Sequence, residues 1–252
     1  MTNYFIGWDV GGWNCDKNSR SRDAIVILDA HRQIVGTPWR GNLRVTINEA
    51  INARDWVGRL FNLGKADAPS GSYSVTIGID TPLGFSAAFN DLATGLKSVP
   101  SIGESGTNPY LYRETERFLV RHGIKPLSAI KDMIGSQATK GMHALAKFSS
   151  ESSGCGVWTN DKMLTAIEAY PSPCKRSTIV KALRDGYPPL KHGDEEDALT
   201  CALVAYLFSQ RREELVMPMA DVPKREGWIW IPKDVFDRWA ELSRRDLCSR
   251  SE

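Results

Sequence analysis

The chain has 252 residues, of which 42% are hydrophobic and 25% charged, with a formal net charge of +2. This composition excludes a disordered or collagen-like chain and suits one large α/β domain or two small ones. A charge so close to neutral neither demands nor excludes a nucleic-acid partner.

In chain order, residues 4–10 form an apolar run that carries Asp9 near its end, before Gly11 and Gly12. This predicts a buried strand that delivers one carboxylate at its C-terminal end. A polar loop follows at 11–23, and strands are predicted at 24–28 and 33–37, joined as an antiparallel meander. Thr46 and Glu49 have the spacing of a helix capping box, and Ala50, Ala53, Val57, Leu60 and Phe61 then recur at steps of three and four. That spacing makes one apolar helical face. A fourth strand at 74–80 alternates Val75, Ile77 and Ile79 with Ser74, Thr76 and Gly78, and ends in Asp80.

From about 85 to 156 the pattern changes, with helices predicted at 113–122 and 137–148 around loop-like stretches. A fifth strand at 164–170 is stopped by Pro171 and Pro173. Asp194 and Asp197 open a strongly apolar helix that runs to Phe208. In the tail, from about 215 to 252, Trp228 and Trp230 alternate with Ile229 and Ile231, as a short strand or an extended cover over a helix layer. A last short helix is expected at 234–242. The longest nearly apolar stretch, Ala198 to Phe208, is too short to cross a membrane. The N-terminal residues do not have the pattern of a secretion signal. Five scattered cysteines without a C-x-x-C pair argue for a reducing, cytoplasmic setting and against zinc.

Three strands, a helix, a strand, a helical segment, a strand and a helix are the element order of the ribonuclease H-like fold. The expectation is therefore a single α/β domain over 1–252. It has a mixed five-stranded sheet flanked by helices, a helical insertion between strands four and five, and a C-terminal extension. Strands one and four are then parallel neighbours roughly 4.8 Å apart. Asp9 and Asp80 reach the same point at the carboxyl end of the sheet, where open α/β sheets build their sites. Two such acids suit Mg²⁺ or Mn²⁺, which take hard oxygen ligands, and a cation so bound points to phosphate chemistry.

Asp194 and Asp197, three apart, share a helix face and can add to the site; Asp194 can equally be an N-cap. Glu168 lies inside an apolar strand, so it needs a partner or a metal unless it faces water at a sheet edge. Arg113 and Lys140 are candidates to bind a substrate phosphate, and Glu116 to add an acid. The alternative for the segment around Arg113 is an exposed helix laced with Glu–Arg pairs. The basic pairs Arg20/Arg22, Lys175/Arg176, Arg211/Arg212 and Arg244/Arg245 read as solvated surface or as a phosphate-contacting rim.

The segments around Gly7-Trp8-Asp9, Gly78–Gly84, Ile167–Pro171, Asp194–Leu199 and Glu226-Gly227-Trp228-Ile229 resemble a family of uncharacterised predicted nucleases, domain-of-unknown-function family DUF429. The resemblance covers nearly the whole chain. It implies a ribonuclease H-like fold and a metal-dependent nuclease activity, without a defined substrate. Holliday-junction resolvases of the same fold group are similar in layout. They carry one acid on strand one, one on strand four and two acids three apart on the last helix, the layout matched by Asp9, Asp80, Asp194 and Asp197; Glu168 is an addition to it.

The leading functional expectation is a two-metal phosphodiesterase acting on DNA or RNA, with Asp9, Asp80, Glu168 and Asp197 catalytic. An ATP-binding phosphotransferase of the actin and sugar-kinase type is the second reading, because Asp9, Gly11 and Gly12 resemble a phosphate loop. A non-catalytic binding protein that keeps the fold is the third.

Overall fold

The computed structural model describes residues 2–161 and 163–236. The strands are β1 (Thr2–Asp9), β2 (Asp23–Leu28), β3 (Trp39–Gly41), β4 (Tyr73–Asp80), β5 (Glu151–Gly154), β6 (Val157–Asn160), β7 (Leu164–Ala169) and β8 (Ile229–Trp230). The helices are α1 (Arg44–Glu49), α2 (Ala53–Leu63), α3 (Ala87–Gly95), α4 (Glu114–Arg121), α5 (Gly135–Phe148), α6 (Pro171–Cys174), α7 (Thr178–Arg184) and α8 (Gly193–Gln210). The class is α/β, with one mixed open sheet flanked by helices. Its strand order is β3-β2-β1-β4-β7-β6-β5, and β8 pairs with β7 off that path. The three central strands β1, β4 and β7 are parallel, and β2 is antiparallel to β1.

Period-two alternation sorts the side chains of the central strands onto two faces. On one face Ile6, Trp8, Ile25, Ile27, Val75, Ile77 and Ile79 meet the apolar sides of α2 and α5. On the other, Phe5, Ala24, Val26, Leu28 and Ile167 meet α8. Strands covered on both faces lose the polar alternation of a half-exposed sheet, so β2 is buried along its whole length. Helix α8 is the central cover, and its residues from Ala198 to Ala205 are all buried.

The approach of α8 to the sheet is set by glycine. Gly7 and Gly78 are register partners on β1 and β4. A Cβ at Gly7 would fall 1.7 Å from the Ala198 carbonyl oxygen, and one at Gly78 would fall 2.4 Å from that of Cys201. The helix backbone therefore rests directly on the sheet backbone. Because the obstruction is backbone, Gly7→Ala must displace α8. A loss of roughly 3 kcal/mol or more is expected, at the upper end of overpacking costs, measured by urea denaturation.

Among the described residues the sheet has eight strands, not the five expected. The expected insertion holds three helices, α3 to α5, but ends in a β5–β6 hairpin that pairs antiparallel with β7. Polar residues such as Glu151 and Ser152 concealed that hairpin. The third strand is 39–41 rather than 33–37: Ile34 makes an isolated bridge to Leu28, and Gly36, with φ 72, turns the chain away. The Thr37 amide then donates to the Gly64 carbonyl instead of to β2. Thr46 and Glu49 lie within α1, and α2 is capped by Asn52, whose side chain accepts from the Asp55 amide. The apolar face from Ala50 to Phe61 is buried as expected. Trp228 and Trp230 flank and enter β8, which runs parallel to β7. Most of the helix expected at 234–242 lies outside the described residues. Among those residues, no helix is long and apolar enough to cross a membrane.

Candidate functional site

The alternation that puts Gly7 and Gly78 against α8 puts Asp9 and Asp80, two residues further on, on the same face. They are register partners at the C-terminal ends of β1 and β4. Asp197 precedes Ala198, the residue seated over Gly7, so α8 begins above these strand ends. Asp9, Asp80 and Asp197 line one cavity of about 440 Å³. Burial, then the Asp80 and Asp197 carboxylates, push the Asp9 carboxyl up to about 9. Burial, then Asp197 and Glu168, push Asp80 well above the carboxylate range, while Lys175 pulls it down. Lys175 sits at the rim, 2.6 Å from Asp197.

Asp194 is turned elsewhere. Its Oδ2 accepts from the Arg22 amide (2.9 Å) and from Arg40 Nε (2.8 Å), and it does not line the cavity. It is not the N-cap of α8 either: His192 takes that place, with Nδ1 accepting from the Asp194 amide. Asp194 instead pins the loop before β2 to the start of α8.

Glu168 approaches from the opposite face, because it is in register with Ile79 rather than with Asp80. It borders the cavity, yet its lone pairs are largely spoken for. Arg113 grips it with a two-pronged bond, Nη1 to Oε2 at 2.7 Å and Nη2 to Oε1 at 2.6 Å, and the Leu83 amide donates to Oε2 at 2.9 Å. Arg113 Nη2 also reaches Glu116 at 2.9 Å, and all three side chains are buried. Burial raises the Glu116 carboxyl, and Arg113 opposes that rise. Arg113 is thus not presented to a phosphate, as the sequence suggests; it positions Glu168 and, through it, the turn after β4. The exposed half of α4 does carry Glu–Arg pairs, Glu114 with Arg117 and Arg121.

Lys140 is likewise internal rather than substrate-facing. It is fully buried, ion-paired with Asp23, and donates to the carbonyls of Gly11 and Gly12 (3.3 Å each) and to Asn42 Oδ1 (3.0 Å). Asp23, which sequence reading passes over as a loop end, accepts from Trp8 Nε1, the Gly11 amide and the Leu43 amide. This network fixes the loop 11–23 after β1. It also occupies the Gly11 amide and the Gly11 and Gly12 carbonyls, so the loop does not present the open row of N–H donors of a phosphate loop.

Glu226 is a second buried carboxylate that only the closing motif hints at. It accepts from the Ala87 amide (2.7 Å) and the Glu114 amide (2.6 Å), and so caps the starts of both α3 and α4. The signal for both Asp23 and Glu226 is weak in sequence. Each is a single acid beside apolar residues, with partners more than 100 residues away in Lys140 and Ala87.

Fit to a hard divalent cation rests on the donor set. Four carboxylates line one cavity, Asp9, Asp80, Asp197 and the Arg113-bound Glu168, and Asp9 and Asp80 are driven toward protonation by burial and carboxylate repulsion; a cation relieves both effects. Among the described residues, no three acid, imidazole or thiolate side chains are gathered into a preformed cage. Mg²⁺ does not need one, since it commonly takes one or two protein carboxylates and completes its shell with water and substrate oxygens. Asp9 and Asp80 would hold it, with Asp197 alongside.

The fold and site define an α/β protein with an acidic cavity at the carboxyl ends of parallel strands. Comparison with protein-family models, with curated proteins and with solved structures finds no match to this chain.

Proposed function

We propose that the protein is a metal-dependent nuclease on a ribonuclease H-like sheet. The observation that carries this reading is the register pairing of Asp9 with Asp80 across two parallel strands, with Asp197 facing the same cavity. The order β3-β2-β1-β4-β7, with β2 alone antiparallel among its central members, supports that fold assignment. A divalent cation supplies water activation and neutralises charge at a phosphodiester. The chain's own groups do the rest. Asp9 and Asp80 would hold the ion at the strand ends. Asp197, tied to Lys175, adds a carboxylate whose charge is already partly balanced. Glu168, gripped by Arg113, keeps the Leu83 turn in place and so shapes the wall beside Asp80.

The test is calorimetric titration with Mn²⁺, together with hydrolysis of bis(p-nitrophenyl) phosphate. Saturable Mn²⁺ binding is expected, along with metal-dependent release of nitrophenol and a rise in melting temperature that follows metal concentration. A protein that binds no Mn²⁺ and hydrolyses no diester would rule the proposal out.

A further inference from the structure

We infer that the cavity takes an unpaired nucleotide, so that the substrate class is single-stranded nucleic acid; this rests on the phosphodiester reading above. The inference comes from what faces the acids. The segment between α4 and α5 brings Pro126, Leu127 and Ile134 to the cavity wall. Leu127 is 54% exposed and Met133, next to Ile134, is 88% exposed. Met133 also holds a left-handed backbone with φ 58, which a side chain other than glycine rarely adopts. Exposed Leu127 together with Pro126 and Ile134 gives the cavity an apolar wall, as ligand sites commonly have. Within the wall, the buried Thr81 hydroxyl has no hydrogen-bond partner among the described residues.

A second cavity adjoins this one. Tyr170 and Ser172 also line a second cavity of about 420 Å³, which Lys125 and Arg176 edge with exposed basic side chains. The Tyr170 hydroxyl donates to the Lys125 carbonyl at 3.1 Å, which steadies the ring between the two spaces. Acid floor, apolar wall, aromatic divider and basic exit follow one another in space.

A duplex fits this sequence of surfaces poorly. It presents phosphates on a convex cylinder and keeps its bases stacked inside, so the wall of Leu127 and Ile134 would stay wet. An unpaired nucleotide sets its phosphate at the acids and its base against Leu127, Ile134 and Tyr170. A volume of about 440 Å³ is of the size that encloses a small ligand. The next phosphate then reaches Lys125 and Arg176. Aromatic stacking beside a basic track is the recurrent chemistry of single-strand binding.

The deciding experiment measures binding, separately from the hydrolysis assay. Fluorescence anisotropy follows a short labelled oligonucleotide, as DNA and as RNA, alone and annealed to its complement, with Ca²⁺ present. Single strands should bind at least about tenfold more tightly than duplex, and Tyr170→Ala should weaken them about tenfold, while Tyr170→Phe retains affinity. Lys125→Glu should weaken binding and flatten its salt dependence. Equal affinity for single strand and duplex overturns the inference. So does unaltered binding by a Tyr170→Ala protein whose melting temperature matches wild type. Single-strand preference in a protein that hydrolyses no diester keeps the inference and removes the nuclease reading; diester hydrolysis without strand preference does the reverse.

Discussion

Asp9→Asn is expected to abolish metal-dependent hydrolysis while making the metal-free protein more stable. A lost cation ligand removes charge stabilisation at phosphorus, and a fall of at least about 10³-fold in kcat/KM is the expected size. The stability effect has a definite sign. In the folded chain burial first, and Asp80 second, push the Asp9 carboxyl up to about 9, from 3.8 for an ordinary aspartate. Between those two values the folded state binds the extra proton, so stability falls as pH rises. Asparagine needs no proton and escapes that loss. The gap in melting temperature between variant and wild type should therefore be small near pH 4 and widen toward pH 9, the window set by the two values. Mn²⁺ should raise the melting temperature of the wild type and leave that of the variant nearly unchanged. A variant that keeps its hydrolysis, or melts below wild type at neutral pH, would contradict the assignment of Asp9.

Arg113→Ala is expected to give the largest loss of stability. It removes the cation that Glu116 and Glu168 share, and leaves two buried carboxylates without a counter-ion. Removing one partner of a buried pair costs about 3–5 kcal/mol. Lysine should rescue little, because it lacks the planar fork that meets Glu168 at both oxygens and Glu116 as well. Replacing the whole triad, Arg113→Met with Glu116→Gln and Glu168→Gln, should recover part of the loss, since no charge is then stranded. Chemical denaturation of the three proteins separates these outcomes. A mild effect of Arg113→Ala together with lost diester hydrolysis would instead return Arg113 to the role of phosphate ligand.

The parts of the fold legible in sequence are those written in local period. Alternating Val75, Ile77 and Ile79 marked β4, and the element order put Asp9 and Asp80 at corresponding ends of adjacent strands, where they are found. The β5–β6 hairpin and the break at Gly36 were not legible, because their strands are short and polar or set by partners far along the chain. The acids divide in the same way. Asp9, Asp80 and Asp197 end or begin strong apolar elements, and they do meet at one cavity. Charge type alone, by contrast, could not tell Lys140 and Arg113 from surface bases. A buried cation differs from a phosphate ligand only by its counter-ion, and Asp23 lies 117 residues from Lys140 and Glu168 lies 55 from Arg113. Asp194 shares a helix face with Asp197, but Arg40 and the Arg22 amide claim it.

Glu226 also imposes an order in time. Its carboxylate caps α3 and α4, its carbonyl accepts from Arg113 at 3.0 Å, and the nearby Ile229 amide donates to Thr115 at 3.0 Å. A ribosome makes these groups after the sheet centre and both helices. The carbonyl of Glu226 and the amide of Ile229 therefore join the Arg113 and Thr115 side chains after Arg113 and Glu168 have both been made. The nascent chain thus carries Asp9 and Asp80 early, and receives the last of the groups that brace the site's wall near its end.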